Sequence, residues 1–242
     1  MSMQAPPLGG EFASTHWSVV RLAGQKESPQ SAAALETLCR AYWYPLYAYV
    51  RRRGHDEHTA KDLTQEFIAR LCARNDLARL DREHGKFRAF LRASMNHFLA
   101  NEWRDRNALK RGGGQTVLSL DIAAEGWYLQ EPATNETPEK LYDRRWAVTL
   151  LELAATRLGD EFFTDGKAEQ FEVLKAFLSE GATAGGYDQA AARLGWTTGA
   201  VATAVHRLRQ RYREVVRHEI AQTVTTPLEL EEEMHHLLAV LT

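Results

Sequence analysis

Between residues 59 and 74, Ala60, Leu63, Phe67, Leu71 and Cys72 recur at three- and four-residue spacing, the period that lines one face of an α-helix. Asp56 stands where an N-cap is needed, and Gly54 suits the end of a preceding helix. Every other segment with enough apolar residues to build a core reads the same way, so the fold class is all-α. With 242 residues, 44% of them hydrophobic, the chain has material for one or two ordinary cores. We expect two small helical domains joined by a linker, the second containing a helix-turn-helix.

Residues 1–29 read as an N-terminal extension. Its first 13 residues hold two prolines and two glycines and little to pack, and Ser14 or Thr15 then caps a short helix carrying Trp17, Val20 and Leu22. Ser28-Pro29 opens a helix over 30–53 whose apolar face is Leu35, Leu38, Tyr42, Leu46, Tyr49 and Val50. Pro45 inside it predicts a kink or break. The run Tyr42-Trp43-Tyr44 suits core packing, with a base-stacking platform as the alternative. From Phe87 the residues Phe90, Leu91, Ser94, Met95, Phe98 and Leu99 face inward, while Arg88, Arg92 and His97 point elsewhere. Three glycines, Gly112 to Gly114, stop that helix and start a linker over 112–136.

The second domain, 137–222, begins with Thr137 as cap and Pro138 in the first turn. Apolar residues from Leu141 to Leu158 carry a helix to Gly159, and a second one near 167–179 precedes a glycine-rich break at 181–186. A short helix over 188–194, the turn residue Gly195 and a capped helix after Thr197 or Thr198 follow, the layout of a helix-turn-helix. Val201, Val205, Leu208 and Tyr212 face inward there, leaving Thr203, His206, Arg207, Gln210 and Arg211 outside. Residues 223–242 form a separate amphipathic helix, with Leu228, Leu230, Met234, Leu237, Leu238 and Leu241 on one side and four glutamates opposite or at its start.

The net charge of -2 conceals an uneven distribution. Residues 1–111 carry 18 Lys+Arg against 12 Asp+Glu, and 77–111 alone carry 9 against 4, whereas 223–242 hold four glutamates and no Lys or Arg. A basic front and an acidic tail therefore coexist. In 87–111, cations alternate with Asn96, His97, Asn101 and Trp103, a mixture suited to single-stranded DNA because cations follow phosphates and planar groups stack on bases. Five arginines against one glutamate over 198–217 likewise suit a major groove. A plain solvated helix face is the competing reading in both places.

Asp62-Leu63-Thr64-Gln65-Glu66-Phe67, preceded by Arg51-Arg52-Arg53-Gly54-His55 and a Tyr-rich helix, resembles the second conserved region of extracytoplasmic-function (ECF) sigma factors. The resemblance covers 30–111 and 145–217 in the family's order. It implies that 30–111 is a region 2-like domain whose Asp62, Gln65, Glu66, Phe67 and Arg70 dock on core bacterial RNA polymerase. It also implies that Arg88, Arg92, Asn96, His97, Asn101, Trp103, Arg104, Arg106, Lys110 and Arg111 contact the minus-10 element. A region 4-like domain over 137–222 then reads the minus-35 element through Thr198, Thr203, His206, Arg207, Gln210 and Arg211. The pattern departs from the family at Phe90, where Trp is expected, at Phe98 and Glu102, where Asn and Asp are expected, and at Ala202-Thr203-Ala204, where Lys-Ser-Arg is usual.

The expected function is thus promoter recognition and DNA melting as an RNA polymerase subunit, with no catalysis and no cofactor. A stand-alone helix-turn-helix regulator is the alternative, but it leaves the Asp62 helix unexplained. A helical hydrolase is a third, yet His55, His58 and Asp62 match no metal-ligand spacing. Cys39 and Cys72 lack Cys or His neighbours at such spacing and read as reduced thiols. No apolar run approaches membrane-span length, so a cytoplasmic location without membrane contact is expected. The partners expected are core RNA polymerase and promoter DNA, with an anti-sigma protein or the C-terminal helix itself as a restraint.

Overall fold

The computed structural model describes residues 29–73, 86–108, 124–129, 136–179 and 185–242. The expected short helix around Trp17 and most of the linker lie outside these. Among the described residues there are ten helices and no strand, so the chain is all-α. They are α1 (Pro29–Arg52), α2 (Glu57–Ala73), α3 (Phe87–Ala108), α4 (Ala124–Leu129), α5 (Pro138–Thr164), α6 (Ala168–Leu174), α7 (Ala176–Ser179), α8 (Gly186–Leu194), α9 (Thr198–Ala221) and α10 (Pro227–Ala239).

The helix boundaries follow local chemistry. Gly54 takes φ +94° after α1, a conformation that a Cβ disfavours. The Thr59 N–H donates to Asp56 Oδ1 at 3.0 Å, which caps α2. The Thr137 side chain accepts from Lys140 N at the start of α5, and Pro138 occupies the first turn. A reciprocal capping box joins Thr226 and Glu229 at the start of α10. Of the kink or break expected at Pro45 there is no break, since α1 continues through it. One expectation needs correction. α5 continues past Gly159 to Thr164, and Gly159 serves instead as a point of close approach, since a Cβ there would stand 2.9 Å from the Phe171 ring.

Two apolar cores result. The larger joins α1, α2 and α3 to the first half of α5, through Tyr142, Trp146 and Leu150, and to Val215, Val216 and Ile220 at the end of α9. Leu230 and Leu237 of α10 belong to it as well. The smaller is built from Leu158, Phe171, Leu174 and Phe177 with Ala190, Ala191, Val201, Val205 and Leu208. α5 and α9 therefore each contribute to both cores. The aromatics Tyr42, Trp43 and Tyr44 are all buried, with Tyr42 edge-on to Phe87, so they fill the larger core. Part of the expected linker is the short helix α4, seated on α1: Ala124 is buried, Trp127 meets Tyr44 edge-on, and Glu125 takes Arg51 Nε and Nη2 at 2.9 and 2.7 Å. Tyr47 donates to the same carboxylate.

Candidate protein and nucleic-acid interfaces

Three surfaces carry the residues singled out in the sequence. The first is the outer face of α2. Its inner stripe, Ala60, Leu63 and Phe67, is buried, and Thr64 joins it by donating its hydroxyl to Ala60 O at 2.8 Å. Asp62 and Glu66 are exposed, and Gln65 and Arg70 are half-buried. Arg70 bridges Glu66 at 2.5 Å and Glu102 of α3 at 2.8 Å, with its guanidinium 5.0 Å from the Phe98 ring centre. This clasp ties α2 to α3, with Asp62, Gln65 and Glu66 on the face beside it. Phe67 does not present on that face: its ring lies 5.7 Å from Phe98 in the core, and it supports the helix from within.

The second surface is α3, and here one expectation is corrected. Arg88 does not point outward. It is only 6% exposed, lying 4.9 Å over the Trp146 ring of α5. Its Nε and Nη2 each reach an oxygen of Glu233 on α10 at 3.1 Å, and its Nη1 donates to Asp143 on α5. Arg92 shares Asp143 at 2.9 Å, and Lys86 lies 3.0 Å from Glu232 and 3.3 Å from Glu233. Burial alone would draw the Arg88 pKa down, but hydrogen bonding to Glu233 and the charges of Glu233 and Asp143 leave it above its ordinary value. Burial would raise Glu233, yet the bond to Arg88 and the charges of Arg88 and Lys86 leave it below the ordinary carboxylate value. Both groups are therefore charged in the interior, where each needs the other.

Further along α3, the Tyr49 hydroxyl lies 2.6 Å from Asn96 Oδ1 and 3.3 Å from Glu139 of α5. His97 and Asn101 are exposed. The side chains of Trp103, Arg104 and Arg106, and the whole of Lys110 and Arg111, lie outside the described residues.

The third surface is the α8 and α9 pair. Gly195, at φ +67°, turns the chain after α8 and donates its N–H to Ala191 O. Thr197 then caps α9 by accepting from Ala200 N. The Thr198 hydroxyl donates to Asp188 Oδ1 at 2.9 Å, pinning the two helices together. Val201, Val205 and Leu208 are buried as their spacing predicts, and Tyr212 is half-buried, its hydroxyl bonded to Leu151 O. Thr198, Thr203, His206, Arg207, Gln210 and Arg211 are all exposed. His206, Arg207 and Gln210 have no side-chain partner among the described residues, whereas Arg211 is held by Glu161 through two 2.9 Å bonds and by Glu214 at 3.0 Å. Beside this face lies a groove of about 750 Å³, floored by Leu174, Trp196 and Leu208 and rimmed by Lys167, Arg207 and Arg211.

Sequence reasoning missed Asp143 and Glu233 as partners of the α3 cations. The Arg88 contacts span 55 and 145 residues of chain, and no local spacing signals such a pair. Among the described residues there is no cluster of His, Cys, Asp and Glu able to hold a metal ion, and no helix is long and apolar enough to cross a membrane.

Comparison with known proteins bears on the first two surfaces directly. Residues 38–109 match the family Sigma-70 region 2, a span that contains the greater part of α1 and all of α2 and α3. The chain is similar to the RNA polymerase sigma factor YlaC of Bacillus subtilis (strain 168), at 27% identity over 186 residues, which is 73% of this chain and 88% of the relative. No solved structure gives a significant match. A Sigma-70 region 2 match that includes the exposed α2 face, within a chain similar to a sigma factor along most of its length, supports an ECF sigma-70 family member.

Proposed function

We propose that this chain binds core bacterial RNA polymerase and directs it to promoters. The observation that carries this reading is the α2 face. Asp62, Gln65, Glu66 and Arg70 lie outside the apolar stripe that holds α2 to the core, on the helix that the region 2 match contains. A stand-alone DNA-binding regulator has no use for such a face.

In this reading the protein divides its work between a region 2-like domain, 30–111, and a region 4-like domain, 137–222. α2 docks on the polymerase. Asn96, His97, Asn101 and Trp103 of α3 engage unpaired bases of the minus-10 element, since amides and planar groups suit unstacked bases better than a closed duplex. Arg104, Arg106, Lys110 and Arg111 follow the phosphates. α9 enters the major groove of the minus-35 element with His206, Arg207 and Gln210, supported by Thr198, Thr203 and Arg211. Ala202 and Ala204, standing where the family has cations, shift those contacts toward the later turns of α9. An anti-sigma protein acting on the chain belongs to the same proposal.

The test is reconstitution. Purified chain mixed with core polymerase should form a complex that initiates at selected promoters, with permanganate-reactive thymines at the minus-10 position. Tight, sequence-selective binding to duplex DNA with no polymerase complex would favour the regulator instead.

A further inference from the structure

The Lys86, Arg88 and Arg92 cluster lies at the start of the helix assigned above to DNA, yet none of its cations faces open solvent unpaired. Its partners come from two sources: Asp143 belongs to α5, while Glu232 and Glu233 belong to α10. Three cations meet three carboxylates, and the site is neutral. Remove α10 and the same three cations face Asp143 alone, a net charge of +2.

We propose that α10 is a built-in anion that occupies a phosphate-binding site on α3, and that DNA and α10 compete for Lys86, Arg88 and Arg92. This inference rests on the assignment of α3 to promoter DNA.

Three features support it. Glu233 engages Arg88 through two parallel bonds of 3.1 Å, the fork geometry that guanidinium also offers to a phosphate. The pair is sealed, with Glu233 2% and Arg88 6% exposed. A buried ion pair adds little stability over apolar residues of similar size, so its best-attested use is to select one arrangement over another. α10 is also held on one side only. Leu230 and Leu237 are buried, but Leu228 and Leu238 of the same helix are 70% and 59% exposed. Met234 and Val240 add half-buried apolar contacts and His236 lies against the Trp146 ring, while the ionic anchors reach separate elements: Glu231 to Arg217 at 2.6 Å, and Glu232 and Glu233 to α3.

Release of the helix need not strand Arg88, because Asp143 stays beside it while a phosphate replaces Glu233. The acidic tail thus reaches past the α9 face, nearest to it in sequence, to the start of α3.

The experiment uses the full chain, since Leu230 and Leu237 belong to the core and deletion of α10 would expose it. The probe is a fluorescein-labelled single-stranded oligonucleotide of mixed sequence, with binding read by anisotropy at fixed salt. Glu232→Gln/Glu233→Gln keeps the apolar contacts and should bind about tenfold more tightly, within the usual range of coupling between two sites. Adding Lys86→Gln/Arg92→Gln should remove the gain. In the unaltered chain, saturating oligonucleotide should accelerate amide hydrogen exchange across 227–239, a readout that needs no variant to fold.

Unchanged affinity in the double Gln variant, or oligonucleotide binding with 227–239 still protected, would overturn the proposal. Core polymerase binding measured on the same samples separates the levels. Retained polymerase binding with no oligonucleotide effect removes the competition alone, whereas a parent chain that ignores polymerase removes the sigma factor reading beneath it.

Discussion

α3 and α9 both expose runs of cations on paper, yet the structure treats them in opposite ways. On α9, His206, Arg207 and Gln210 are exposed and without side-chain partners among the described residues. On α3, Arg88 is sealed between Trp146, Asp143 and Glu233, and Arg92 is tied to Asp143. The same residue type is a ready surface group on one helix and a structural counter-ion on the other. What differs is the neighbour: α9 turns its basic face away from both cores, whereas α5 and α10 pack across the start of α3. Charge counts along a sequence register how many cations a helix has, and only packing shows which of them are available.

The largest expected effect follows from that contrast. Arg88→Ala leaves Glu233 and Asp143 without their shared cation in the interior, so it should destabilise the fold by about 3–5 kcal/mol. Arg207→Ala on α9 should stay within about 0.5 kcal/mol, as exposed substitutions do. Urea unfolding of the two variants decides this, and equal effects would dissolve the distinction.

A smaller change probes the platform under α9. Gly159→Ala gains helix propensity, about 1 kcal/mol at most, but its Cβ would stand 2.9 Å from a ring carbon of Phe171. Overpacking of this kind costs about 1–3 kcal/mol. The variant should therefore be modestly less stable by thermal melting, and duplex DNA binding should suffer more than polymerase binding. A gain in stability would show that Phe171 yields easily and that the smaller core is loosely packed.

A third prediction concerns pH. The folded Glu233 carboxyl titrates below its ordinary value of 4.5. A depressed carboxylate contributes stability above its unfolded pKa and loses it as pH falls through the folded one. The stability of the parent should hence drop more steeply below pH 4.5 than that of Glu233→Gln, seen by denaturant titrations in a pH series. Parallel curves would mean that the Arg88 pairing does not hold the carboxylate ionised.

Much of this fold was legible because its signals are local. The stripe at Leu63 and Phe67, the caps Asp56, Thr137 and Thr197, and the turn at Gly195 each act within four residues, and the helices begin and end close to where those signals place them. Gly159 misled because glycine marks both a helix end and a site of close approach, and the Phe171 ring that distinguishes them comes from another helix. Lys175, with no breaker beside it, separates α6 from α7 where one helix was expected.

The surfaces were legible to a lesser degree. Periodicity correctly left Asp62, Glu66, His206 and Arg207 outside the core. It could not show that Arg88 and Glu233 meet, because an apolar stripe says that a face is covered and not by what. Leu228 and Leu238 illustrate the same limit from the other side: they belong to the stripe of α10 by spacing, yet remain exposed.

The α2 face carries the central claim, and Gln65→Ala/Glu66→Ala tests it most directly. Glu66 is exposed, and Arg70 keeps Glu102 as a partner when Glu66 is removed, so the fold should lose only about 1 kcal/mol, most of it at the half-buried Gln65. Binding of this variant to core RNA polymerase, measured by fluorescence titration beside the parent, should be at least about tenfold weaker, a loss near 1.4 kcal/mol. A well-folded variant that binds core polymerase as tightly as the parent would contradict the assignment of α2 to polymerase docking.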